Sequence, residues 1–191
     1  MIKILHKGVT FLAASDTTKL AIVSGLKELA CKKSFEKVSV IEISNICGIN
    51  RNTFYYHFDD KYAVISWIFK TEIKPVLNPY MEVKNWSECI ISLCNHLKSE
   101  KHFYTNVLYD RTPGSLYQIL VDYFKKAFMD AFADHYKRLN ITGDDREIVA
   151  RFYSHGTIDM ICDWVMSGMR ADAVVSTNIL NLAIKAGLFN T

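Results

Sequence analysis

The side chains best suited to chemistry lie in one run, Arg51-Asn52-Thr53-Phe54-Tyr55-Tyr56-His57-Phe58. An arginine fork pairs bidentately with guanine, and an asparagine amide can serve adenine, so Arg51 and Asn52 are equipped to read base edges in a DNA major groove. Phe54 and Phe58 stand one helical turn apart and can pack inward. At 100° per residue Asn52, Thr53 and Tyr56 then point away from them, with Arg51 and Tyr55 on the flank near the amino end. The outer face is polar and aromatic, which suits recognition rather than bond making.

Other constellations fall short of catalysis. Ser154, His155 and Asp159 have the residue types of a hydrolase triad, but neighbours on one helix diverge by 100°, so the helix cannot align the serine oxygen with the imidazole. A lone buried histidine reads first as a satisfied core group. Cys89, Cys94 and His96 come nearest to a metal set, yet five residues of helix rotate the two sulfurs roughly 140° apart. There is no glycine-rich phosphate loop, G-x-S-x-G elbow or metal-spaced carboxylate set. The expectation is a protein that is not an enzyme, with no metal and no cofactor.

The reading face needs a rigid mount, and the preceding residues provide one. Ser39 and Glu42 have capping-box spacing, with Val38 and Ile43 as a hydrophobic staple. The helix they start is expected to bury Ile43, Ile46 and Cys47. Gly48 follows where a helix end favours positive φ, and Asn50 can cap a second helix from Arg51. Two short helices joined by a tight turn make a helix-turn-helix.

From Gly48 to Lys61, GINRNTFYYHFDDK, with Thr53-Phe-Tyr-Tyr-His-Phe at its centre, the chain resembles the TetR family of transcriptional regulators. Within that family it is similar to the branch that includes activators of dihydroxyacetone kinase operons, on Asn50-Arg51-x-Thr53-Phe54-Tyr55-Tyr56-His57-Phe58 and Tyr62 to Phe69, including Trp67. The resemblance implies base contacts from Arg51, Asn52 and Tyr55. It implies backbone contacts from Ser39, Thr53, Tyr56, His57 and Lys61. It further implies an effector cavity in the second domain and dimerisation through the last two helices.

Composition agrees with this reading. The 191 residues are 50% hydrophobic, with eight glycines and only three prolines, which favours long helices. Five cysteines without C-x-x-C spacing suit a reducing compartment, here the cytoplasm. No run approaches the roughly 20 apolar residues of a membrane span. Residues 1–70 hold ten Lys/Arg against six Asp/Glu, and residues 71–191 thirteen against fourteen, so net charges of +4 and −1 make up the total of +3. Positive charge lies with the helix-turn-helix, as phosphate binding requires.

The expected architecture is all-α. Residues 1–15 are a flexible leader. Residues 16–60 form a three-helix DNA-binding head, whose first helix buries Leu20, Ile22, Val23, Leu26, Leu29 and Ala30. Residues 61–191 form a helical regulatory and dimerisation domain, entered by a connecting helix from Lys61 that Asp59 or Asp60 caps and Pro75 stops or kinks. Further helices are expected over 86–98, 101–110, 116–139, 145–169 and 174–188, with Ser115 and Asp144 as caps. Leu116, Leu120, Phe124, Phe128, Phe132 and Tyr136 recur every four residues as a core ridge.

Trp67, Phe103, Phe124, Phe128, Phe152 and His155 are the candidate effector-binding residues. Phe152, Ile161, Trp164, Val165, Ile179 and Leu182 are the candidate dimer interface, pairing with a symmetry mate in a four-helix bundle. Three readings follow. The first is a homodimer on double-stranded DNA, at a pseudo-palindromic operator, controlled by a small-molecule effector. The second replaces that effector with a partner protein. The third is a helical interaction protein without DNA binding.

Overall fold

The computed structural model describes residues 14–82, 85–138, 140 and 143–170, and within them every regular element is helical. In order these are α1 (Ala14–Lys32), a 3-10 turn (Phe35–Lys37), α2 (Val40–Ile46), α3 (Arg51–His57), α4 (Lys61–Ile68), a π-helical turn (Phe69–Ile73), α5 (Lys74–Glu82), α6 (Trp86–Ser99), α7 (Lys101–Leu108), α8 (Leu116–Ala131), α9 (Ala133–Arg138) and α10 (Asp144–Met166). Residues 1–13 of the expected leader, and 174–188 with Ile179 and Leu182, lie outside the described residues.

The head closes around Ile22, Leu26, Phe35, Val38, Ile43 and Phe54, all buried, with Phe58 at its edge. Leu20 and Ile46, expected inside, are instead 42% and 39% exposed. Leu20 lies roughly 120° around α1 from the Ile22, Leu26 and Ala30 stripe, which already fills the side facing the other helices. Ile46 sits on the rim of the α1/α2 contact, where the two helices meet at Gly25. A Cβ there would come within 2.6 Å of Cys47 Sγ and 2.8 Å of Ile46 Cγ2, so glycine sets how closely the end of α2 can seat.

Pro75 does not stop the connecting helix, which continues from Lys61 to Glu82 with Pro79 also inside it. The backbone widens into the π turn just before Pro75, with Lys74 N–H donating to Phe69 O, an i to i−5 bond. That wider turn absorbs the ring that would otherwise press on the preceding carbonyls. The Thr71 hydroxyl donates back to Trp67 O at 2.8 Å on the same stretch.

Beyond the connecting helix the four-residue ridge is core: Leu116, Leu120, Phe124, Phe128, Phe132 and Tyr136 are all buried. It is not one helix, because α8 ends at Phe132 (φ −94°, ψ 3°) and α9 carries Tyr136 inward after the break. Among the described residues the most extensive helix pairing is α8 with α10. Asp144 is not the cap of α10. Gly143, at φ 54°, holds that position, and Asp144, Asp145 and Glu147 fill the first turn, where negative charge favours the helix dipole.

The apolar residues of α10 split between two faces. Ile158, Ile161, Trp164 and Val165 are buried, whereas Ile148 and Phe152 are 61% and 74% exposed. The reason is geometric: positions 148 and 152 lie roughly opposite Ala150, Ser154 and Ile161, the side that packs on α8. Ile161, Trp164 and Val165, expected at a dimer interface, are therefore core residues of this chain.

Candidate nucleic-acid interface

The capping box at the start of α2 is complete. Ser39 Oγ accepts from Glu42 N–H at 3.3 Å, and Glu42 Oε2 accepts from Ser39 N–H at 3.0 Å and from the Ser39 hydroxyl at 2.8 Å. Lys33 pairs with the other Glu42 oxygen. These bonds, the Lys33 contact first, hold the Glu42 carboxyl down from 4.5 to about 2.

At its far end α2 closes in a Schellman motif: Ile49 N–H donates to Ser44 O at 3.0 Å and Gly48 N–H to Asn45 O at 3.2 Å, with Gly48 at φ 66°. Asn50 Oδ1 then accepts from Thr53 N–H at 2.8 Å and starts α3. Phe54 is fully buried and Phe58 nearly so, which fixes the roll of α3 on the head.

That roll turns one face outward. Arg51 and Asn52 are exposed, Tyr55 is half-exposed, and Tyr56 reaches 82%. The Arg51 guanidinium lies 5.8 Å from the Tyr55 ring centroid, with its Nη2 3.4 Å from the Tyr55 hydroxyl, so the pair is steadied before any partner arrives. Tyr56 and His57 pack edge to face at 5.0 Å. Among the expected backbone-contact residues, the Ser39 and Thr53 hydroxyls already donate to Glu42 and to Asn50, the latter at 3.2 Å. Each would have to turn its proton outward to grip a phosphate.

Lys61 is placed differently from expectation. Its ammonium donates to Phe35 O and Glu36 O, both at 2.8 Å, and to Val38 O at 3.1 Å, and lies 4.7 Å from the Phe35 ring centroid. All three N–H donors are occupied by the turn between α1 and α2, and burial lowers its pKa. Lys61 therefore holds the base of the helix-turn-helix instead of reaching a phosphate. Lys27, Lys32 and Lys33 are also ion-paired, Lys27 with Glu72 at 2.6 Å and Glu100 at 2.8 Å. Three of the ten positive charges in residues 1–70 are thus ion-paired, Lys27 with carboxylates from outside that stretch.

The same turn is gripped from the far side by Asn106 of α7. Its amide donates to Ala30 O and Lys33 O, the latter at 2.6 Å, and its oxygen accepts from Phe35 N–H at 3.2 Å. Tyr62 adds a further tie, donating to Asp110 at 3.0 Å and accepting from the Thr112 hydroxyl at 2.9 Å. Gly114 (φ 84°) lets that loop close, since a Cβ there would meet Tyr62 Cβ at 3.3 Å. No local pattern marks Asn106, because its partners lie more than seventy residues away.

The six expected effector residues do not form one site, although Phe124 and Phe128 adjoin with ring centroids 6.3 Å apart and Phe128 backs Trp86. Phe103 packs on the head side under Lys27, 5.6 Å from its ring centroid. Phe124 and Phe128 belong to the buried ridge, Trp67 is half-buried on α4, and Phe152 is exposed. His155 lies on another flank, with Nδ1 3.0 Å from the Tyr117 hydroxyl, and lines a shallow charged groove with Lys125, Glu147 and Arg151. A larger cleft of about 440 Å3 opens elsewhere, between α5, the start of α6, and α8, where Asn78, Met81, Trp86 and Tyr123 form its walls. Cys89 and Cys94 are buried, which pushes both thiols up to about 12.

Residues 22–66 match the family described as bacterial regulatory proteins, tetR family, and residues 84–185 match a transcriptional regulator C-terminal region. The chain is similar to an HTH-type dhaKLM operon transcriptional activator, DhaS, of Lactococcus lactis subsp. lactis, at 26% identity over 93 residues, 49% of this chain and 50% of that protein. The chain thus aligns with about half the length of that relative. Among solved structures, a dihydroxyacetone kinase operon activator DhaS superposes with a TM-score of 0.60 at 16% identity, covering 90% of this chain and 96% of that one. NalD, the secondary repressor of the MexAB-OprM multidrug efflux pump in Pseudomonas aeruginosa, gives 0.66 at 17% identity, covering 93% and 98%. At these identities the superpositions show a shared fold.

Proposed function

Because the chain belongs to the TetR family of bacterial transcriptional regulators, we propose that it acts in the cytoplasm as a homodimer on a pseudo-palindromic operator. The residues 16–60 read the DNA, and a small molecule bound within 61–191 controls the affinity. The observation that carries this reading is the outer face of α3. Arg51, Asn52, Tyr55 and Tyr56 are uncovered on a helix whose start, roll and entry turn are each fixed by the head. Arg51 and Asn52 supply direct readout, and Tyr56 with His57 borders the backbone.

One head covers few base pairs, so a two-fold pair with recognition helices about 34 to 36 Å apart, or a multiple of a turn, gives a full site. The outer face of α10 supports such pairing, since Ile148, Phe152, Met160 and Met166 form an exposed stripe that Asp159 and Asp163 interrupt. Gly156 lies within that stripe with open space where a Cβ would stand.

Control passes along the helix from Lys61 to Glu82, which starts beside the helix-turn-helix and ends beside the cleft. A ligand changes operator affinity only by binding one head spacing more tightly than another, and a coupling of roughly 1 to 3 kcal/mol changes it about 5- to 150-fold. Anisotropy titrations of the full chain on its own upstream DNA and on a shuffled duplex test DNA recognition. A preference for the natural duplex that persists as salt rises is expected. Equal affinities across salt would contradict it.

A further inference from the structure

The cleft of about 440 Å3 has one apolar and one polar wall. Its apolar wall is the Trp86 indole, stacked on the buried Phe128 at 4.6 Å and 13°, with Met81 and Tyr123 beside it. A flat ring backed by a second flat ring is a stacking surface, and offset stacking rewards a planar guest.

The polar wall is a matched pair. Tyr123 donates its hydroxyl proton to Asn78 Oδ1 at 2.8 Å. Asn78 is then left with amide N–H donors to offer the cleft, and Tyr123 with oxygen lone pairs. A guest hydroxyl satisfies both at once, accepting from Asn78 and donating to Tyr123. A carboxylate can only accept and an ammonium can only donate, so each leaves half of the pair unmet. Burial pushes the Tyr123 phenol up to about 12, so it keeps its proton and its hydrogen bond to Asn78.

The rim carries Lys74 and Lys126 against Glu82 and Asp130, two charges of each sign, so the cleft favours neither anion nor cation. We infer that the cleft binds a small, uncharged, planar molecule bearing a hydroxyl group on its ring, a phenol in chemical class. Such a guest lies against Asn78 on α5 and against Tyr123, whose ring contacts Phe69 of the π turn edge to face at 5.4 Å. It therefore reaches the helix that runs from the DNA-binding head. The inference rests on the proposed ligand control and gives that ligand its class.

Calorimetric titration of the full chain with phenol, benzoate, benzylamine and cyclohexanol separates charge from planarity. Phenol is expected to bind at least about tenfold more tightly than each of the other three. Tyr123→Phe and Asn78→Leu should each weaken phenol about fivefold, the loss of roughly one hydrogen bond, while thermal melts confirm that both variants fold. Tighter binding of benzoate or benzylamine, phenol binding equal in the wild type and both folded variants, or no heat from any probe would overturn the inference. Operator affinity is read in a separate titration. If phenol binds as described and operator affinity does not move, the cleft assignment stands and the control role falls.

Discussion

Lys61 Nζ sits 2.8 Å from Phe35 O and 4.7 Å above the Phe35 ring, so the first residue of α4 closes the turn that carries the helix-turn-helix. A lysine in that position on a DNA-binding head invites a phosphate assignment. Here the carbonyls of Phe35, Glu36 and Val38 occupy it. Lys61→Ala should destabilise the head by about 1 to 2 kcal/mol, a charged hydrogen-bond contribution discounted for partial exposure. The slope of log K against log salt should stay unchanged. A slope flattened by about 0.9 with unaltered urea stability would return Lys61 to the phosphate set.

Asn106 makes three bonds to the end of α1 and the following turn. Asn106→Leu leaves those backbone groups without their partner, at about 1 to 3 kcal/mol for each group that stays dry. Amide exchange should speed up at Phe35 and through the head while α8 and α10 keep their protection. Uniform loss of protection would mean that head and body unfold as one unit and that Asn106 is not a local tie.

Glu42 sets an acid limit on the reading head. Its carboxyl is lowered on folding from 4.5 to about 2, so its contribution is complete above 4.5 and is lost as pH falls through about 2. Circular dichroism of the wild type should show head stability declining across that window. Glu42→Gln should be less stable at neutral pH and flatter across the same range. Parallel pH profiles for the two proteins would rule out the capping box as the source.

Phe152 and Gly156 test the proposed dimer. Phe152→Asp should raise the dimer dissociation constant without lowering monomer stability, because the side chain is 74% exposed. Gly156→Leu meets open space in the chain and should do the same by blocking a partner's approach. Sedimentation equilibrium reads both. Unchanged association in the two variants would move the interface off α10.

What could be read from the sequence was local chemistry. The caps at Ser39, Asn50, Asp60 and Ser115 and the turn at Gly48 involve partners within a few residues, and each forms as expected. The buried ridge from Leu116 to Tyr136 follows from period alone. Long-range geometry was not legible. Pro75 looks like a stop until the π turn before it relieves the clash. Ile161 and Trp164 look like surplus apolar surface until the other helices of the chain bury them and leave Phe152 outside. The cleft residues Asn78, Trp86 and Tyr123 come from three helices, and no spacing rule joins them.

The central claim is that the outer face of α3 reads a specific sequence, and selection from a randomised duplex pool addresses it most directly. The full chain and its Arg51→Ala variant are carried through the same rounds at fixed salt. The wild type should enrich a two-fold pseudo-palindrome containing a guanine in each half-site. Arg51→Ala should lose preference at that guanine, at about 1 to 3 kcal/mol per contact, and keep its affinity for the unselected pool. Failure of the folded, dimeric wild type to enrich any sequence would contradict the account, as would a variant that enriches the same site with the same guanine preference.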